Sequence, residues 1–72
     1  MNHIFSNLDI SSRQKRRRLV ALISSALVRV RDEEQAYRDR IPPNLDSSDF
    51  AANADDSIDL LSDAILYLDD AY

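Results

Sequence analysis

The chain has 72 residues, 9 Lys+Arg against 13 Asp+Glu for a net charge of −4, one His, and no Cys, Gly or Trp. Without cysteine there is no disulfide framework and no thiolate metal site. Without glycine there is no phosphate-cradling loop, because such loops need backbone to approach phosphate closely. The length allows one domain, residues 1–72, and a lone His3 cannot supply a paired-histidine metal site.

Residues 1–10 read as an N-terminal arm or short helix in which Ile4, Phe5 and Leu8 share a face. Ser11 with Gln14 reads as a capping box, and Ile10 as its hydrophobic staple. A first helix is expected over 12–40. Ile23, Ala26, Val30 and Tyr37 follow helical spacing, flanked by Val20, Leu27 and Ile41 on one side and Leu22 and Ala36 on the other, and interrupted by Glu33 and Glu34. Pro42-Pro43 ends this helix, since proline lacks the donor N–H and clashes with the preceding turn.

Residues 42–48 form a polar turn in which Asp46, Ser47 and Ser48 are all N-cap candidates. A second helix is expected over 49–71. Its stripe is a heptad seam of Ala51, Ala54, Ile58, Leu61, Ile65, Leu68 and Tyr72. A second row of Leu60, Ala64, Tyr67 and Ala71 widens the apolar arc to roughly half the circumference. The remaining wedge holds Asp55, Asp56, Asp59, Asp63, Asp69 and Asp70.

The short link makes the helices antiparallel, so the fold class is all-α, a two-helix hairpin. The first helix is longer and overhangs at its N-terminal end. One partner helix cannot cover the apolar half of the second, and a chain this small has a modest core. Self-association into a helical bundle is therefore expected, as a homodimer or higher oligomer. The expected interface is Ile58, Leu60, Leu61, Ile65, Tyr67, Leu68 and Tyr72 with Ile23, Leu27, Val30 and Tyr37. Its centre is Ile58, Leu61, Ile65 and Leu68.

No apolar run approaches the roughly 18 residues that a membrane span needs. The longest candidate, Leu19 to Leu27, is interrupted by Ser24 and Ser25, and the basic stretch before it has no cleavage-type ending. No membrane partner and a cytoplasmic location are expected.

Charge is divided along the chain. Residues 1–40 hold all nine bases and five acids; residues 41–72 hold eight acids and no base. Arg13, Lys15, Arg16, Arg17 and Arg18 occupy the first turns of the first helix, where the macrodipole disfavours cations. Two explanations stand: pairing with Asp69, Asp70 and the terminal carboxylate across the hairpin, or binding of an anionic ligand such as a nucleotide phosphate. The pI near 4.7 and the lack of aromatics within the cluster argue against direct nucleic-acid binding. The reverse is a nucleic-acid mimic, with Asp55, Asp56, Asp59, Asp63 and Asp70 as its acidic face. Against it stands the simple solvated side of an amphipathic helix.

Tyr37, Tyr67 and Tyr72 read as packing residues with the hydroxyl at the edge. Arg29–Glu33 and Glu34–Arg38, four residues apart, account for two of the three acids of Asp32-Glu33-Glu34 as ion pairs. Ser24 and Ser25 have no base in a recognisable motif, and a serine triad would have to use His3. No enzymatic activity, no metal and no cofactor are expected.

The acidic stretch Asp32-Glu33-Glu34 with Tyr37 leads to Pro43-Asn44-Leu45 and Ser48, then to a helix carrying Ala54, Ile58, Leu61, Ala64, Ile65, Leu68 and Ala71. Over about residues 23–71 this resembles small helical-hairpin proteins encoded by bacteriophages and integrative mobile elements. It departs from them in lacking a turn glycine and in using Asp rather than Glu on the second helix. The resemblance implies a phage or mobile-element context, hence a bacterial host cytoplasm, and carries no catalytic residue. In architecture alone the chain is similar to phage anti-defence proteins that sequester cyclic nucleotides. That likeness would set Arg16–Arg18 on phosphates and Phe5 or a tyrosine on a base.

The expected function is thus a small oligomeric interaction protein that modulates a host or element macromolecule. The alternatives are a nucleotide sponge using Arg13–Arg18 and an acidic mimic using the Asp face.

Overall fold

The computed structural model describes residues 8–72. The expected arm residues Ile4 and Phe5, and His3, lie outside the described residues. The chain forms two helices, α1 (Arg13–Asp39) and α2 (Asp49–Ala71), joined by a 3₁₀ turn at Pro43–Leu45. They pack against each other as an all-helical hairpin, and the described residues contain no strand.

The start of α1 differs from the capping box read at Ser11. Ser12 is the N-cap, its hydroxyl accepting from the Lys15 amide at 3.1 Å. Ser11 is engaged elsewhere: its amide and its hydroxyl both donate to Asp9 Oδ1, at 3.1 and 2.6 Å. A carboxylate two residues upstream captures both donors, as in an Asx turn, and moves the helix start on by one residue. Ile10, displaced from the staple position, is about half exposed.

Pro42 is extended, with ψ of 150°, and its carbonyl accepts from the Leu45 amide at 2.9 Å. Ser48 then caps α2, accepting from the Ala51 amide at 3.3 Å. Residues 40–48 therefore reverse the chain.

On α2 the heptad stripe is the face turned to α1. Ala51, Ala54 and Ile65 are buried, and Ile58, Leu61 and Leu68 half-buried. The expected centre of self-association is thus used within the hairpin, because α1 covers it. On α1 the inward line is rotated from the expected Ile23, Ala26, Val30, Tyr37. Ser24 is buried; Val20, Ile23, Leu27, Arg31 and Arg38 are half-buried; Ala26, Val30 and Tyr37 are exposed. The rotation follows from two cross-helix bonds, Ser24–Asp69 and Arg38–Asp55. Each draws a polar residue of α1 onto the seam.

The seam is thin. Among the described residues its buried apolar side chains are Ala51, Ala54 and Ile65, and no large side chain is fully enclosed. Ile65 is the branched one of these, so Ile65→Ala should lower the unfolding free energy by about 2–4 kcal/mol in a urea titration.

Candidate functional site

Three surfaces compete for a functional role: the basic start of α1, the acidic side of α2, and an apolar face that the seam leaves uncovered.

Residues 24 and 38 of α1 stand opposite 69 and 55 of α2. At this antiparallel register residue 21 is level with Tyr72, so residues 13–20 run past the end of α2. The basic cluster occupies that overhang. Asp69 is drawn to Ser24, whose hydroxyl donates to Oδ1 at 2.8 Å. Among the described residues no ion pair within 4 Å joins the cluster to Asp69 or Asp70. The expected ion pairing across the hairpin is therefore replaced by other contacts. Lys15 pairs with Asp9, Arg16 donates to the Ile10 carbonyl at 3.0 Å, and the Arg13 guanidinium lies 4.9 Å from the Tyr72 ring centroid, a cation–π arrangement. Arg17 lines a small recess with Val20, Ala21, Leu68, Asp69 and Tyr72. Arg18 is exposed. Three of the five candidate cations are thus held by the chain itself.

Near the turn, Arg38 donates to Asp55 at 2.8 Å and bridges to Asp46 at 2.8 Å. Asp55, then Asp46, raise the Arg38 pKa further. This clamp displaces the expected Glu34–Arg38 pair, because two carboxylates from the turn and α2 reach the guanidinium first. The Arg29–Glu33 pair is likewise absent within 4 Å among the described residues. Gln35, Asp39, Ile41 and Pro43 complete a shallow open depression around the clamp. Its one guanidinium is already satisfied.

On α2 the six acids of the expected wedge separate. Asp55 and Asp69 turn to the seam. Asp56, Asp59, Asp63 and Asp70 remain exposed, with no ion pair within 4 Å among the described residues. The sequence signal for the separation was present: Asp55, Ser62 and Asp69 recur every seven residues, on one flank of the heptad stripe.

The third surface is apolar. Leu22, Val30, Leu60 and Tyr67 are 68%, 52%, 69% and 75% exposed, and Tyr37 is also exposed. At about 100° per residue, Leu22, Ala26, Val30 and Tyr37 are displaced from the inward line of α1 in the same rotational sense as Leu60, Ala64, Tyr67 and Ala71 from that of α2. In an antiparallel pair such positions share one face. The opposite flanks obey the same rule, since Gln35 and Asp39 of α1 meet Asp55 of α2 in one depression. By the register, 22 is level with 71, 26 with 67 and 30 with 63. The two rows therefore run side by side as one apolar face. The tyrosines read as packing residues are not in the hairpin core; Tyr37 and Tyr67 belong to this face.

Among the described residues no cluster of three His, Cys, Asp or Glu is placed to hold a metal ion, and no helix is long and apolar enough to cross a membrane. No family model, no curated protein and no solved structure matches the chain.

The Lys15 bond, then the two Ser11 bonds, hold the Asp9 carboxyl down at about 2, from an ordinary value of 3.8. A depressed folded pKa means that the contribution is fully present above pH 3.8 and is lost as pH falls through about 2. An NMR titration of the Asp9 carboxyl should have its midpoint near 2, and Lys15→Ala should move it up toward 3.8. An unchanged midpoint in Lys15→Ala would remove Lys15 as the main cause.

Proposed function

We propose that this chain is a non-enzymatic interaction protein that works as an assembly of hairpins. The observation that carries the reading is the apolar face formed by Leu22, Val30 and Tyr37 with Leu60 and Tyr67. Exposed apolar side chains gathered on one face, here interrupted between Val30 and Tyr37 by Glu33 and Glu34, mark an interaction site. A seam closed by two alanines and one isoleucine gives a marginal fold, and small folds without disulfides or metal commonly gain stability by oligomerising. In this reading the chain acts in a phage or mobile-element setting, in the host cytoplasm, on a host or element macromolecule. Its small size, its acidity and the resemblance of its turn and second helix support that setting.

Sedimentation equilibrium tests the assembly. The wild type should sediment at twice the chain mass of 8.2 kDa or more. Leu60→Lys with Tyr67→Lys should raise the dissociation constant at least a hundredfold, because truncating a central aromatic anchor commonly costs 2 kcal/mol or more. Both residues are exposed in the hairpin, so the helical circular dichroism signal should persist at low temperature. A wild type that stays at 8.2 kDa across the concentration range would overturn the reading.

A second reading is favoured by a separate observation, the exposed and unpaired row of Asp56, Asp59, Asp63 and Asp70. Asp59 and Asp70 point away from both the seam and the apolar row, while Asp56 and Asp63 stand at the outer edge of that row. We infer that they form the surface offered to a basic partner, a groove that otherwise holds nucleic acid. Changing Asp56, Asp59 and Asp63 to Asn should abolish competition with DNA for a basic DNA-binding protein while the helical circular dichroism signal persists. Full retained competition would exclude the row. The nucleotide-sponge alternative has less support, since Arg13, Lys15 and Arg16 are engaged within the chain.

A further inference from the structure

The apolar face has an identifiable occupant. Leu22, Val30, Leu60 and Tyr67 are each more than half exposed, and a two-fold axis sets the same residues of a second copy against them.

Charge then selects how the copies lie. Two hairpins stacked face to face with a two-fold axis can be arranged in two ways. With the axis across the helices, α1 lies on the partner's α1 and α2 on the partner's α2. With the axis along the helices, each α1 lies on the partner's α2. The whole segment 41–72 has eight acids and no base, so any α2–α2 contact brings only like charges together. The outer edge of α2 beyond the apolar row carries Asp49, Asp56 and Asp63. The matching edge of α1 carries Lys15, Arg18, Arg29 and Arg40, with Glu33 the exception. All of these are exposed. Only the second arrangement sets the basic edge against the acidic one.

We propose that two copies pack through this face about a two-fold axis parallel to the helices, each α1 seated on the partner's α2. This rests on the interaction-protein reading and adds its partner and geometry. Rotation about such an axis preserves height, so the hairpin register also fixes the register between copies. Arg29 comes level with the partner's Asp63, and Arg40 falls between the partner's Asp49 and Asp56. Every adjacent pair of helices in the resulting four-helix bundle is antiparallel, which also sets opposite macrodipole ends side by side.

Charge reversal across the two edges tests the arrangement. Arg29→Asp alone and Asp63→Arg alone should each raise the dimer dissociation constant about tenfold, because the axis makes every edge pair occur twice. Mixing the two variants should restore wild-type affinity, since the heterodimer has one native pair and one swapped pair. Stacking of like helices predicts no such loss and no such rescue. The absence of native cysteine permits an independent check. Ala26→Cys and Ala64→Cys chains, mixed and treated with a short bis-maleimide, should cross-link to each other, while neither links to itself.

Self-linking of Ala26→Cys, or a dimer that gives no mixed link, would overturn the arrangement and leave self-association standing. A protein that sediments only as a monomer would overturn both.

Discussion

The bond from Ser24 to Asp69 sets α1 against α2, and the rest of the molecule follows from it. A hydroxyl on the seam cannot be left without a partner, because a buried polar group without a hydrogen bond costs stability. Asp69 supplies that partner from the last turns of α2. The Arg38 clamp on Asp46 and Asp55 repeats the device at the turn end. Between these two points the apolar seam has one register. A hairpin closed mainly by small side chains has little shape complementarity to specify register by packing alone. Polar pins at both ends do what bulky core residues do in larger bundles.

The same register distributes every other surface. It sends the basic start of α1 past the end of α2, where the cluster is held by Asp9, the Ile10 carbonyl and the Tyr72 ring rather than by the expected aspartates. It turns two of the six clustered acids on α2 to the seam and leaves four in solvent. It also brings Val30 and Tyr67 onto one side of the hairpin. These are consequences of one geometric choice: each helix has a single inward line, and each apolar arc is wider than the other helix can cover.

The two-helix architecture makes that surplus unavoidable. An amphipathic helix whose apolar arc spans half its circumference needs more than one neighbour. Among the described residues each helix has one neighbouring helix. The structure places the exposed rows of both arcs on the same side of the hairpin.

The amino-acid sequence determined the elements. Proline at 42 and 43, serine at 48 and the strict heptad stripe of α2 fix a hairpin through purely local chemistry, and the inward face of α2 could be read from period alone. The breadth of the apolar arc also announced that one partner would not suffice. The face of α1 was not legible. Ala26, Val30 and Tyr37 have a helical period as good as that of Val20, Leu27 and Arg31, and period does not say which of two adjacent apolar stripes meets the other helix. That was decided in three dimensions, by hydrogen bonds between residues 45 and 17 positions apart. The pairing Glu34–Arg38, four residues apart, failed for the same reason. A local partner loses when the turn and the opposite helix bring two carboxylates to one guanidinium. Local pattern determines what each helix is; the partners that only folding brings together decide which way it faces.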